Sequence, residues 1–249
     1  MNMVLTVWGD YACFTRPVGG KVERFSYPVI TPSAARAVFD AIYWKPTFRW
    51  RVSKIEVLTL PRYLSLMRNE VKDWANMAAL EKALLNKKLP VPPLFADATE
   101  DETGSDKKGR TQRQTMALCD VKYRLHAEPQ LFREDNGERQ KIVAQFTRRA
   151  IAGQCRWQPY FGCREFAAYF ELGEGEAEPP AAYSETIGMM LYDVWDLARP
   201  LLADGTAALP FVSMFPAEIK NGVLEVPPFD SEHVRRPGAF FGQEEVIHD

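Results

Sequence analysis

Ala117, Cys119, Val121, Tyr123 and Leu125 alternate with Asp120, Lys122, Arg124 and His126. A period of two puts the first set on one face of a β-strand and the second on the other, so one face asks to be buried and the other is mainly basic. Such a strand needs neighbours and a covering layer, and the rest of the chain reads as their supply. Met3 to Trp8 is a β-prone apolar run, as expected of a central strand, and Gly9-Asp10-Tyr11 breaks it. A basic loop with Pro17, Gly19 and Gly20 follows.

Thr31-Pro32 marks a helix start, a hydroxyl N-cap followed by Pro at the first helical position. Ala35, Val38, Phe39 and Ile42 form one apolar face, and Pro46 stops the helix. Tyr43 and Lys45 therefore stand at its C-terminal edge, where spacing fits a core-capping aromatic as well as a ligand contact. Phe48, Trp50 and Val52 then alternate with Arg49, Arg51 and Ser53, and the phase slip before Ile55 predicts a bulge near Ser53-Lys54. Arg68 to Lys87 reads as a helix, with Met77, Leu80 and Leu84 as anchors. Residues 96–110 (ADATEDETGSDKKGR) read as an exposed, mobile loop.

Beyond the best strand, Asn136-Gly137 reads as a turn and Glu138 to Ala152 as a helix stopped by Gly153. Ile142, Phe146 and Ala150 mark its apolar side; Lys141, Gln145 and Arg148 line another face, with Arg149 beside them. Phe166 to Leu172 reads as a strand, and Gly173 to Pro180 as a linker. Thr186 to Trp195, Leu209 to Met214 and Gly222 to Val226 read as short strands, with a hairpin turn at Asn221-Gly222 and an extended tail over the last fifteen residues.

The predicted fold class is α+β. Without an insertion at about 62–112, the order strand, helix, strand, strand, helix, strand is that of a ferredoxin-like domain of the RRM type over residues 1–175. A small antiparallel β domain over 181–249 completes the chain. With 249 residues, a formal charge of −2 and no apolar run of membrane length, the expectation is a cytoplasmic protein without a uniformly basic coat. Cys13, Cys119, Cys155 and Cys163 form no C-x-x-C pair and read as buried thiols. Three histidines and no metal-ligand motif imply neither a metal site nor any other cofactor.

Basic residues nonetheless cluster beside aromatics. Lys45, Arg49, Arg51, Lys122, Arg124, His126, Arg148 and Arg149 are candidates for phosphate contacts, while Tyr43, Trp44 and Trp157 are candidates for stacking on unpaired bases. Solvated faces explain the same charges without a ligand. Metal-free RNA cleavage requires the ribose 2′-OH to be deprotonated, the scissile phosphate stabilised and the 5′-oxygen protonated. No carboxylate cluster of the two-metal kind stands out.

The order of short motifs is specific where each alone is weak. Gly9-Asp10-Tyr11, Thr31-Pro32-Ser33-Ala34-Ala35-Arg36, Ala41-Ile42-Tyr43-Trp44-Lys45-Pro46, Asp120-Val121-Lys122-Tyr123, Arg148-Arg149, Gly153-Gln154-Cys155 and Gly162-Cys163-Arg164-Glu165-Phe166 recur in sequence. Through them nearly the whole chain resembles the CRISPR-associated Cas-five-d family of type I-C (Dvulg) systems. The resemblance implies a ferredoxin-like domain, a small β-rich domain, and an endoribonuclease that cuts CRISPR precursor RNA at the repeat hairpin without metal. It also implies that the protein stays on the 5′ handle beside the other subunits of a Cascade complex, with no membrane partner. Tyr43 matches the family's catalytic tyrosine and Lys141 its lysine, while the adjacent histidine position is Ile142. His126 is a conceivable substitute, and a non-catalytic handle-capping subunit is the alternative that Ile142 favours.

Overall fold

The computed structural model describes residues 2–17, 23–71, 76–86, 110–133, 135–173, 179–195, 197 and 212–236. Nine strands join in one largely antiparallel sheet among these residues. They are β1 (Met3–Ala12), β2 (Arg24–Phe25), β3 (Phe48–Val57), β4 (Arg62–Val71), β5 (Arg110–Leu131), β6 (Tyr169–Leu172), β7 (Glu185–Asp193), β8 (Ser213–Lys220) and β9 (Val223–Glu225). The sheet runs β6-β1-β5-β3-β9-β8-β7, with β2 and β4 also paired to β5. The helices are α1 (Pro32–Ile42), α2 (Met77–Leu85) and α3 (Asn136–Ile151).

The alternating stretch at 117–126 is the centre of β5, which extends further in both directions than its pattern predicts. Its C-terminal half pairs with β1 and β3, its N-terminal half with β4. β1 does not stop at Gly9. It continues to Ala12 because β5 holds it in one register, from Met3↔Ala127 to Ala12↔Leu118. The bulge in β3 falls between Val52 and Lys54, as the phase slip requires. Val52 and Ile55 are thereby both buried.

α1 and α3 meet over β3 through an aromatic knot. The ring of Phe39 lies 5.4 Å from that of Phe146, and Trp50 lies 4.6 Å from Phe146. Thr31 caps α1 by accepting from Ala34 N at 3.2 Å. Asp135 caps α3, accepting from Gly137 and Glu138 N–H, so Asn136-Gly137 opens the helix instead of forming a turn. Gly153, at φ +62, ends it, and its N–H reaches the Ala150 carbonyl at 3.1 Å.

The predicted helix from Arg68 is corrected. Arg68 to Val71 belong to β4, paired residue by residue with the start of β5, and the helix is confined to Met77–Leu85. Partners from other segments decide this: Glu70 joins Arg24 on β2 and Arg113 on β5, and Arg68 pairs with Glu165 in the loop before β6. The strand predicted from Phe166 begins at Tyr169, because Phe166 packs on Tyr11 instead. The second predicted strand of the C-terminal part, Leu209 to Met214, starts at Ser213 and runs on to Lys220, and Asn221-Gly222 forms the turn to β9. The loop at 96–109, residues 174–178 of the linker, residues 209–211 and the tail from 237 lie outside the described residues.

Gly162 fills a place only glycine can take. At φ +81, an added Cβ would lie 1.9 Å from the Cys13 carbonyl oxygen. Of the four cysteines only Cys13 is buried; Cys119 and Cys163 are half-buried and Cys155 is exposed, which corrects the expectation of four buried thiols. Among the described residues no helix is long and apolar enough to cross a membrane.

Candidate nucleic-acid interface at the seam of two helices

A helix leaves its last carbonyls without intrahelical donors. At the end of α1 these carbonyls are taken up by residues from across the fold. Arg156 N–H donates to the Ala41 carbonyl at 2.7 Å, and the Arg149 guanidinium donates to the Ile42 carbonyl at 2.9 Å. The Trp50 indole N–H donates to the Tyr43 carbonyl at 2.8 Å. A cation at a helix C-terminus also meets the negative end of its dipole, so Arg149 is held there twice over. Satisfying α1 therefore draws the C-terminal end of α3 and the segment after it against Tyr43.

The result is an open cleft of ≈ 750 Å³ whose walls include Tyr43, Lys45, Arg148, Arg149 and Arg156. Tyr43 is 8% exposed, its ring packed near Phe48 on one side. The Arg149 guanidinium carbon lies 5.2 Å and the Lys45 ammonium 5.9 Å from its ring centroid. Both meanings of Tyr43 hold at once: the ring closes the core and also faces a cationic cleft. Arg148 is exposed, reaching Gln154 at 3.4 Å.

Lys141 is exposed and does not line this cleft. It precedes Arg149 by eight helical residues, roughly 12 Å along the axis. It shares the outward stripe of α3 with Arg148. Ile142 is completely buried among the apolar residues of α3, so the position at which the resemblance implies a histidine points into the core here.

The other predicted basic residues part company with the cleft. Arg124 and His126 are buried and bound to opposite oxygens of Glu56, at 2.6 and 2.9 Å, with Lys54 at 2.6 Å from the same carboxylate. Burial raises the Glu56 pKa, but Lys54, Arg124 and His126 outweigh it and hold the carboxyl below its usual range. Burial, together with Lys54, pushes His126 below its usual range despite Glu56. The basic stripe read on β5 is thus largely an internal ion cluster, which neither alternation nor composition reveals. Arg51 pairs with Glu128 at 2.8 Å, and Lys122 is half-buried opposite Trp8. Arg49 stacks 5.1 Å from the Phe132 ring and lines a second cavity beside the cleft.

That second cavity, of ≈ 400 Å³, shares Trp44 and Arg156 with the first and adds Asp40, Trp157 and Trp195. Arg156 is the cleft residue that spacing missed. It lies between Cys155 and Trp157, both singled out on other grounds, and only the α1 carbonyl it satisfies fixes its place. Among the described residues no three His, Cys, Asp or Glu side chains converge into a cation cage.

Comparison with known proteins gives this geometry a family. The family model for the CRISPR-associated protein Cas5, in its Cas5d form, matches residues 3–227. A protein of Mannheimia succiniciproducens named CRISPR pre-crRNA endoribonuclease Cas5d is 39% identical over 240 residues, covering 93% of this chain and 97% of its own. One of the same name from Thermus thermophilus is 39% identical over 237 residues, covering 91% of each. The crystal structure of a CRISPR-associated protein superposes with a TM-score of 0.59 at 20% identity over 94% of this chain and 96% of its own, a likeness of fold. By the extent of the match and the identity to its relatives, the chain belongs to the Cas5d family of CRISPR-associated proteins.

Proposed function

We propose that this protein is an endoribonuclease that cleaves CRISPR precursor RNA at the repeat hairpin, without metal, and keeps the 5′ handle within a type I-C Cascade complex in the cytoplasm. The observation that carries the proposal is the cationic cleft around Tyr43, in a chain 39% identical to two proteins named for that activity. In the reaction the ribose 2′-oxygen attacks the adjacent phosphorus and the 5′-oxygen leaves. The products are a 2′,3′-cyclic phosphate and a 5′-hydroxyl; one proton leaves the 2′-oxygen and one is delivered to the 5′-oxygen. Tyr43 orients or deprotonates the 2′-OH from the cleft wall. Lys45, Arg149 and Arg156 surround the phosphate, where fixed cations stabilise the charge that builds in the transition state. Lys141, on the stripe of α3 that also carries Arg148 and outside the cleft, meets the backbone of a hairpin lying along the helix and so positions the scissile step over Tyr43.

The finer architecture belongs to the same proposal. The antiparallel order β6-β1-β5-β3, with α1 and α3 as the two connections, supports a ferredoxin-like domain over 1–175. The ribbon β4–β5 and α2 fall in its insertion, and β7 to β9 supply the small C-terminal domain over 181–249.

The burial of Ile142 favours a second reading, a subunit that caps the handle without cutting. Incubating the purified protein with its own repeat RNA in EDTA separates the two. One cut with a cyclic phosphate end, lost in Tyr43→Phe and Lys141→Ala, is the expected result. Tight binding with the RNA intact would leave only the capping role.

A further inference from the structure

Asp40 sits on the outward side of α1, 13% exposed, and its two oxygens have different fates. Oδ2 accepts from Arg36 at 2.6 Å, while Oδ1 is buried with no hydrogen-bond partner. An acceptor that has lost its water and gained no donor costs roughly 1–3 kcal/mol, and it calls for an explanation. Burial outweighs Arg36 and raises the Asp40 carboxyl to about 6. Asp40 lines the ≈ 400 Å³ cavity with Trp44, Trp157, Trp195 and Arg156.

The wall is built in advance. Asp193 accepts from Arg36 at 2.8 Å, which fixes the arginine that holds Asp40, and the same carboxylate accepts from Trp195 N–H at 3.1 Å. The Arg156 guanidinium lies 5.7 Å from the ring centre of Trp157, a residue 42% exposed. Three indoles line the cavity together with Asp40; any base stacks on an indole face, and an acidic acceptor distinguishes among bases. The volume falls within the ~300–1,000 Å³ of small-ligand sites. Its shared wall with the Tyr43 cleft puts it one step from the cations that face phosphate.

We propose that this cavity is a nucleobase pocket. It receives one unpaired base next to the hairpin, stacks it on Trp157 and Trp44, and reads its exocyclic amino group through the Asp40 carboxylate, which lines the cavity. The inference rests on the RNA-cleaving reading and adds a specificity-determining residue to it, since a base held here positions the strand that crosses the cleft.

The test uses the full chain and its own repeat RNA, with 2′-deoxy nucleotides at the step located from wild-type products so that binding is read without cleavage. Each unpaired nucleotide beside the hairpin is made abasic in turn. The expected result is one position at which the abasic change weakens wild-type binding about 5- to 100-fold, the effect of one stacked base. In Trp157→Ala that penalty falls to near one-fold. In Asp40→Asn, which keeps size and stacking, the preference for an amino-bearing base over uracil at that position disappears. If wild type prefers its repeat but no abasic penalty shrinks in Trp157→Ala, the pocket is overturned and the RNA reading stands. If wild type binds a scrambled hairpin as well as its repeat, the RNA reading falls and the pocket with it.

Discussion

Arg149 shows how one side chain serves the fold and the cleft together. It satisfies the Ile42 carbonyl and stands over the Tyr43 ring. Arg149→Ala is expected to lower stability by about 1 kcal/mol, the worth of a single hydrogen bond. It should also slow single-turnover cleavage at least tenfold. Thermal melts and rates on the same preparations separate the two effects, and Arg149→Lys should recover more of the rate than of the melting temperature. Asp40 gives a pH signature. Its folded pKa, about 6, lies above the ordinary carboxyl value of 3.8, so its contribution to stability is fully present below pH 4 and is lost as pH rises through 6. Urea titrations from pH 4 to 7.5 should show wild type losing up to about 3 kcal/mol relative to Asp40→Asn over that window, at 1.36 kcal/mol per unit. Arg36, Asp193 and Arg49 face the same carboxyl, and wild type and variant share them. Neither role is visible in sequence, where Arg149 is one of two adjacent arginines and Asp40 one polar residue on a helix.

At the scale of elements, strong local signals held and weak ones yielded to partners. α1 begins where Thr31-Pro32 says it should, because cap and proline act within four residues. Thr31→Ala should cost about 1 kcal/mol by removing the bond to Ala34 N–H, read as a lower melting temperature with unchanged helix boundaries in hydrogen exchange. The segment 68–71 carries no comparable signal, and pairing with residues 110–113 made it a strand. The two stretches are separated by some forty residues, so no window of sequence contains the reason. Likewise the break expected at Gly9 did not form, since β5 supplied partners on both sides of it, Val121 for Gly9 and Cys119 for Tyr11.

Across the whole molecule, the C-terminal strands are tied into the sheet. β9 pairs with β3, Val57 N–H donates to the Gly222 carbonyl at 2.7 Å, and Arg36 bridges α1 to Asp193 on β7. Calorimetry should therefore give one cooperative transition, and a chain ending at residue 175 should melt lower than the full protein; two separate transitions would contradict this coupling. The amino-acid sequence by itself determined the elements whose signals are local: the alternation of β5, the N-cap of α1, the apolar face of α3, the Asn221-Gly222 turn and the motif that carries Tyr43. Packing between distant elements settled which basic residues line the cleft. Arg124 and His126 turned inward to Glu56, while Arg149 and Arg156 came to Tyr43 because α1 needed donors for its last carbonyls. Charge can be counted along a chain, but whether it meets a carboxylate or a cleft depends on residues brought together from far apart.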